Sequence, residues 1–195
     1  MKGMRSLSLF FCLALAALAQ AAEVPFPIAD VPIHASGEAA QFVNGRVTPP
    51  KQTSALIDLK KYRGKPVILA MISLTCGHCV TAVQYLIQLQ DQYGPQGLQV
   101  VGVAGSEHAD VELPQWLQRF RPNFPFGYLP QEPFLKLAGL APDARPFVPL
   151  LLFIDPTGTV RARKFGNDPD MKSVENGLLQ GTRVLMSVSA PLMKK

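Results

Sequence analysis

The residues Pro66-Val67-Ile68-Leu69-Ala70-Met71-Ile72-Ser73-Leu74-Thr75-Cys76-Gly77-His78-Cys79 form an apolar run that ends in two cysteines separated by two residues. The apolar residues occupy both alternating positions, which is typical of a central strand covered on both faces. Beyond this run, apolar residues recur every three or four positions and predict an amphipathic helix over 77–93. These positions are Cys79, Ala82, Val83, Leu86, Leu89 and Tyr93.

The two cysteines therefore lie where a buried strand leads into a helix. The first turn of a helix has unpaired backbone N–H groups, and the helix dipole places positive charge there. Both features favour an anion, and a thiolate is the nucleophile of disulfide exchange. A disulfide between Cys76 and Cys79 would close a very short loop and add little stability through chain entropy. We therefore interpret the pair as a redox centre rather than a structural link.

The remaining strong signals predict one α/β domain with a mixed sheet. A β-branched run at 98–104 follows the helix, so the first unit is strand–helix–strand with a parallel pair. A third buried strand at 148–154 leads through the turn Asp155-Pro156-Thr157-Gly158 into a strand at 159–165. The turn residues and the alternation after them predict an antiparallel hairpin.

Weaker signals lie outside these strands. A helix is predicted over 113–120 with Pro114 in its first turn, where proline is tolerated. A short edge strand at 126–128 and a helix over 131–140 are expected next. A last helix is expected from 168, and two glycines within it should weaken it: Gly177 and Gly181.

The first residues predict a secretory signal peptide at 1–21. Two basic residues precede an apolar stretch over 7–18, and Ala19-Gln20-Ala21 is a small-residue cleavage site. The domain is then expected in the periplasm or outside the cell. The alternative is an uncleaved membrane anchor with the domain outside the cytoplasm, although the apolar stretch is short for a span of ~20 residues.

The mature chain is interpreted in three parts. Residues 22–54 are rich in proline and predict an irregular lead-in, 55–188 the domain, and 189–195 a loose tail. No segment after the signal is apolar enough to cross a membrane. Cleavage also removes Cys12 and leaves one cysteine pair in an oxidising compartment, where such a pair is retained for chemistry more often than for structure.

The composition of the 195 residues indicates a folded protein, because 48% are hydrophobic and only 17% are charged. The formal net charge of +5 is modest. No block of lysine and arginine is interleaved with aromatic residues, so the sequence does not support nucleic-acid binding.

The order of elements resembles the thioredoxin fold and, within it, the TlpA/ResA-like group of secreted thiol–disulfide oxidoreductases. The resemblance covers roughly 55–188. It depends on the strand that ends in Cys76-Gly77-His78-Cys79, the crossover to 98–104, the insertion that follows, Val148-Pro149 before a buried strand, and the turn at 155–158. It implies a three-layer fold with a central mixed sheet, helices on both faces and an N-terminal extension.

The resemblance also implies roles for individual residues. Cys76 would be the exposed nucleophile and Cys79 the resolving thiol, and the two would form the disulfide of the oxidised state. Pro149 would be a cis proline facing this disulfide, and the backbone of Val148 would pair with an incoming peptide. Thr75 and Gly77 would border the substrate, and His78 would stabilise the Cys76 thiolate. No cofactor is implied.

The sequence departs from the resembled families at buried acidic positions. Thioredoxins carry an aspartate where this chain has Ala70, and ResA-like reductases carry a glutamate where it has Ala82. A fast dedicated reductase is therefore in doubt. The Gly77-His78 pair matches the pair between the cysteines of protein disulfide isomerase. A Cys76 thiolate that is stabilised by His78 favours the reduced form, so the protein should be a stronger oxidant than thioredoxin.

The expected partners are proteins that carry thiols or disulfides, together with a membrane-bound or soluble redox donor. A zinc site lacks further ligands in the sequence, and haem attachment would need histidine where Val80 stands. The alternative function is a Sco-like copper-binding module that uses the same cysteines, because soft thiolates suit Cu(I). Peroxide reduction is a third possibility, since the Thr75-Cys76 pair faintly resembles peroxiredoxins, although their longer motif is absent.

Overall fold

A central sheet of eight strands organises the chain in the computed structural model, which describes residues 24–43, 46–48 and 51–193. The strands are β1 Phe26–Pro27, β2 Ile33–Ala35, β3 Gln41–Val43, β4 Arg46–Thr48, β5 Leu56–Ile57, β6 Val67–Ile72, β7 Gln99–Ala104, β8 Phe126–Tyr128, β9 Leu150–Ile154 and β10 Thr159–Lys164. The helices are α1 Gly77–Tyr93, α2 Ala109–Phe120, α3 Gln131–Leu137 and α4 Val174–Met193.

The sheet is mixed, as the sequence predicts. Its order is β1-β10-β9-β6-β7-β8-β2-β5, and β3 and β4 form a separate hairpin. β6 pairs in parallel with β7 and antiparallel with β9, so β6 has a neighbour on both sides. Ile72 pairs with Ala104 at the carboxyl ends of β6 and β7. The segment that follows Ile72, and with it the two cysteines, therefore begins at this edge of the sheet.

Helices cover both faces of the sheet because side chains of β6 alternate between two cores. Ile68, Ala70 and Ile72 join one core with residues of α1, α2 and α4. Their neighbours Val67 and Leu69 join the opposite core, which contains residues of α3 and of β2. The prediction of a thioredoxin-like three-layer fold with an N-terminal extension is confirmed.

The N-terminal segment contributes more to the sheet than the sequence predicts. β2 pairs with β8, so the strand at 126–128 is not an edge strand, which corrects the prediction. β5 then pairs with β2, and β1 pairs with β10 at the other end of the sheet. The physical reason is burial, because Ile33 of β2 is fully enclosed in the core on the α3 side.

The helices begin and end at different residues from those predicted. α2 begins at Ala109, before the predicted 113, because the backbone N–H groups of Val111 and Glu112 bond to the carbonyl of His108. Pro114 accordingly lies inside the helix and is buried there. α3 ends at Leu137 rather than at 140.

The last helix is also displaced along the chain. A 3₁₀ turn at Pro169–Lys172 precedes α4, which begins at Val174 rather than at 168. α4 continues to Met193 with Pro191 in its last turn, so the predicted loose tail is helical over 189–193. Ser189 is buried within this extension.

Residues 1–23 lie outside the described part of the chain, so the signal peptide at 1–21, its cleavage and the loss of Cys12 remain predictions. The division of the mature chain at 54 and 188 also remains a prediction. Among the described residues, no helix combines the length and the apolar character that a membrane span requires.

The turn between β9 and β10 is held by the buried carboxylate of Asp155. This carboxylate accepts hydrogen bonds from the Thr157 N–H at 2.9 Å, the Thr159 N–H at 3.1 Å and Arg161 Nε at 2.6 Å. Burial alone would raise the pKa of Asp155, but the bonds from Thr157, Thr159 and Arg161 lower it below its ordinary value.

Asp155→Asn is expected to lower the free energy of unfolding by about 1–3 kcal/mol at neutral pH, because a charged acceptor of several bonds is lost. A lowered folded-state pKa stabilises the fold above the unfolded pKa, and this contribution disappears as the pH falls through the folded-state value. Urea unfolding of the unmodified protein and of the variant should therefore show a difference in the free energy of unfolding that becomes smaller below about pH 4. A difference that stays constant to low pH would contradict this account.

Candidate active site

The sulfur of Cys76 caps the first turn of α1. Cys76 is the N-cap residue, with extended backbone at φ −88° and ψ 113°, and its sulfur accepts the Cys79 N–H at 3.2 Å. The side chain is partly exposed. A partly exposed sulfur at a helix N-terminus meets both a backbone donor and the positive end of the helix dipole. This is the location that the sequence predicts for the first cysteine.

The side chain of Cys79 is fully buried in the core that α1 forms with the sheet. Burial, together with a hydrogen bond to Cys76, raises the pKa of the Cys79 thiol far above its ordinary value. Ala70 and Ala82 belong to the same core, so methyl groups occupy the positions at which the resembled families carry acids. Both cysteines are free thiols, and their predicted disulfide remains a proposal for the oxidised state.

The loop before β9 completes the surroundings of the Cys76 sulfur. The Val148–Pro149 peptide bond is cis, and the Cys76 thiol donates to the Val148 carbonyl at 3.7 Å. Gly166 packs on this loop, because a Cβ atom there would lie 2.5 Å from the Val148 oxygen. Gly166 was not predicted as a site residue, because the residues around it in the sequence do not show that it contacts the backbone of Val148.

The other predicted site residues lie on the surface around the thiol. Thr75, Gly77 and His78 are all exposed. No hydrogen bond joins His78 to the Cys76 sulfur among the described residues, so its role as a thiolate stabiliser is not visible as a contact. Thr75 Oγ1 lies 3.2 Å from Ser73 Oγ, in a group of hydroxyls that also includes Ser106.

Ser106 ties the loop after β6 to the loop after β7. Its hydroxyl accepts the Leu74 N–H at 2.9 Å and donates to Ser73 Oγ at 3.3 Å. The loop that leads into Cys76 is therefore held by a side chain from the neighbouring strand's loop. The sequence prediction did not include Ser106 as a site residue. Its position directly after β7, at the same edge of the sheet as Cys76, could have indicated that it lies at the site.

An open groove of about 750 Å³ adjoins the thiol, and we call it the α2 groove. Its first wall comes from the loop after β6 and the start of α1: Leu74, Thr75, Cys76, Gly77 and Val80. Its second wall is one face of α2: Glu112, Gln115, Trp116, Arg119 and Phe120. Two aromatic residues of α2, Trp116 and Phe120, therefore lie along the site.

An aromatic cluster supports the second wall. The Trp116 ring lies 4.6 Å from Phe120 and 5.4 Å from Phe126, measured between centroids. Trp116 is only 8% exposed, and its indole N–H has no acceptor among the described residues. Trp116 therefore belongs both to the hydrophobic core and to the wall of the groove.

No group of three or more histidine, cysteine, aspartate or glutamate side chains is arranged to hold a metal ion within 24–43, 46–48 and 51–193. Among the described residues, no histidine, aspartate or glutamate side chain lies near the two cysteines as a third metal ligand. A third ligand of these types for the Sco-like copper module is therefore not found in the part of the chain that the structure describes.

Comparison with curated proteins gives a partial match. Protein DipZ of Mycobacterium bovis is 32% identical over 110 residues, which are 56% of this chain and 16% of DipZ. Protein DipZ of Mycobacterium tuberculosis matches with the same values. The chain therefore spans about one sixth of the length of these relatives.

Solved structures share the fold at low sequence identity. A putative thiol:disulfide interchange protein DsbE from Chlorobium tepidum superposes with a TM-score of 0.62 at 20% identity, over 83% of this chain and 96% of that one. Peroxidoxin BcpB from Mycobacterium tuberculosis gives 0.60 at 13% identity, over 84% and 96%. A DsbF homologue from Corynebacterium diphtheriae gives 0.58 at 16% identity, over 83% and 87%.

The family is shown by a sequence profile. The profile of the AhpC/TSA family matches residues 39–163, which include both cysteines, α2 and the cis Val148–Pro149 bond. The matched region contains β6, α1, β7 and β9, the elements that position the thiol. This chain is therefore a member of the AhpC/TSA family with a thioredoxin-like fold.

Proposed function

We propose that this protein is a thiol–disulfide oxidoreductase that exchanges electrons with cysteines of partner proteins. The observation that carries the proposal is the pair of sulfurs at one helix start. Cys76 is partly exposed and accepts a backbone N–H from the first turn, whereas Cys79 is buried directly behind it. The first sulfur can reach a partner, and the second can reach only the first.

The proposed reduction of a partner proceeds in two exchanges. The Cys76 thiolate attacks one sulfur of the partner disulfide, so a mixed disulfide forms and the other partner sulfur leaves as a thiolate. The Cys79 thiol then loses its proton and attacks the Cys76 sulfur. The Cys76–Cys79 disulfide forms and the second partner thiolate leaves. Two electrons and two protons pass to the partner, and oxidation of a dithiol is the reverse. Neither direction needs a cofactor.

The surrounding residues have supporting roles in this proposal. The Val148 carbonyl, which accepts from the Cys76 thiol in the reduced state, holds the nucleophile towards the loop that contains cis Pro149. The backbone of Val148 is available to an incoming peptide, and Thr75 and Gly77 form the exposed border. His78 stabilises negative charge on Cys76 when its side chain turns towards the sulfur.

The raised pKa of Cys79 slows the second exchange, because only the thiolate attacks the mixed disulfide. Burial disfavours the Cys79 thiolate, and alanines occupy the positions where a carboxylate could take its proton. A long-lived mixed disulfide suits an oxidant or isomerase better than a fast reductase. We further propose that the protein works in the periplasm or outside the cell, with a membrane-bound or soluble redox donor.

Peroxide reduction is the second candidate, because the chain belongs to the AhpC/TSA family and shares its fold with peroxidoxin BcpB. One experiment separates the candidates. The reduced protein is mixed with 5,5′-dithiobis(2-nitrobenzoic acid) and, separately, with hydrogen peroxide, and loss of Cys76 and Cys79 thiols is followed. Faster oxidation by the disulfide is expected, whereas faster oxidation by peroxide would refute the proposal. Copper bound at one equivalent to the reduced protein would favour the Sco-like alternative.

A further inference from the structure

We propose that the α2 groove binds the polypeptide segment that flanks the reactive cysteine of the partner. The segment would place an apolar side chain on the groove floor and an acidic side chain at Arg119. This inference rests on the proposed function and names the substrate class of the same site. It concerns specificity, since no residue of α2 takes part in the exchange of sulfurs.

The groove and the nucleophile share a wall. Cys76 and Gly77 line the groove directly, so whatever occupies the groove lies beside the attacking sulfur. The α2 wall is a single helical stripe, because its residues are spaced by three and four positions from Glu112 to Phe120. A volume of about 750 Å³ lies within the range of ligand sites and accommodates more than one side chain.

The floor of the groove is apolar and firmly supported. Leu74 and Val80 lie on the α1 side, and Trp116 and Phe120 on the α2 side. The Trp116 ring packs at a tilt of 49° against Phe126 of β8, so the sheet backs this wall of the groove. A large apolar side chain on the partner segment would bury surface here that water now covers.

The α2 wall of the groove carries a negative and a positive side chain at different points along the helix. Glu112 and Arg119 lie seven residues apart on α2, a separation of about 10 Å along a helix axis. Neither forms an ion pair with any described residue, and the Arg119 guanidinium rests over the Phe120 ring at 5.2 Å. A partner segment that carries an acidic residue at the Arg119 end, or a basic one at the Glu112 end, is complementary to these charges.

A second apolar feature near the thiol favours a polypeptide over a small thiol. Phe147 is 63% exposed and directly precedes Val148, whose carbonyl lies 3.7 Å from the Cys76 sulfur. An exposed aromatic side chain therefore lies one residue from the backbone that contacts the Cys76 thiol. A polypeptide that occupies the α2 groove is long enough to contact Phe147 as well, whereas a small disulfide compound has little surface to offer to either.

The test uses two peptides that contain a phenylalanine next to a single cysteine and differ only in whether glutamate or lysine follows. Each cysteine carries a disulfide to 2-nitro-5-thiobenzoate, whose release reports attack by the reduced protein. We expect the second-order rate constant of this release to be at least about threefold higher for the glutamate peptide. Arg119→Gln should abolish this preference and Arg119→Glu should reverse it. Arg121→Gln is the matched control, because it removes one charge from an exposed residue outside the groove.

Three results would overturn the inference. Equal rates for the two peptides with the unmodified protein would show that the groove does not select charge. An equal effect of Arg121→Gln and Arg119→Gln would show a long-range field rather than a contact. Faster attack on glutathione that carries the same disulfide to 2-nitro-5-thiobenzoate than on either peptide would identify a small thiol as the occupant. Failure of the proposed function is distinguishable, because hydrogen peroxide would then oxidise the two thiols faster than 5,5′-dithiobis(2-nitrobenzoic acid) does.

Discussion

Cys79→Ala is expected to leave the partner protein covalently attached to Cys76. The first exchange needs only the exposed sulfur, its N-cap contact with the helix and the loop at Val148, all of which remain. The second exchange needs the buried thiol and cannot occur. The mixed disulfide should therefore accumulate and persist until an external thiol is added. Non-reducing electrophoresis after incubation with a disulfide-containing protein would show the adduct, and reduction would remove it.

The matched control is Cys76→Ser, which should form no adduct and should lose exchange activity by at least about 10³-fold, because a serine hydroxyl is hardly ionised at neutral pH. Adduct formation through Cys79 in this variant would contradict the assignment of the two sulfurs. It would mean that the buried side chain reaches solvent.

The same asymmetry can be measured in the reduced protein without a partner. Iodoacetamide should modify Cys76, which is partly exposed, well before Cys79, which is fully buried and has a raised pKa. Peptide mapping by mass spectrometry after brief treatment identifies the site. The difference in modification rate between the two cysteines should become small only under denaturing conditions, where Cys79 is no longer buried.

Local sequence pattern was sufficient for the centre of the fold. The apolar run of β6, the three- and four-residue spacing in α1 and the turn at Asp155 each depend on residues close in sequence. The position of Cys76 at the helix start follows from the same local information. These elements were predicted because their burial is encoded by short periodic patterns.

The α2 groove and the outer strands depend on contacts between distant residues, which a single sequence does not display. Pro114 pointed to a helix start, yet its buried ring lies within α2. β2 has only three residues, too few for a periodic pattern, and its burial comes from pairing with β8 and β5. Trp116 and Arg119 line the groove beside Cys76 only because the fold brings one face of α2 opposite the start of α1.

Glycines show most clearly what local propensity omits. Gly102 lies in β7, where glycine is unfavourable, but a Cβ atom there would lie 2.2 Å from the Phe126 ring. Gly181 was expected only to weaken α4. In the structure, a Cβ atom at 181 would lie 2.4 Å from the Phe153 ring. Glycine at this position therefore leaves space for Phe153, the largest fully buried residue of β9.

Gly181→Ala is therefore expected to destabilise the protein, although alanine is the better helix former. The propensity gain is about 1 kcal/mol, whereas overpacking of a buried contact costs about 1–3 kcal/mol. Three atoms of the Phe153 ring would lie within 3.0 Å of the new Cβ atom, so the contact cannot be relieved by a flexible chain end. Urea unfolding should show a net loss of stability, and Gln180→Ala, at the exposed neighbouring position, should change it by less than about 0.5 kcal/mol.

A double-mutant cycle tests whether Phe153 is the cause. Phe153→Leu alone should cost about 1–2 kcal/mol, because it leaves space beside α4. In that background Gly181→Ala fills the space and gains helix propensity, so its effect should change sign from destabilising to stabilising. The interaction free energy between the two positions is then expected at about 1–3 kcal/mol. Additive effects would mean that the glycine serves some other contact, and the close packing of α4 on β9 would need a different explanation.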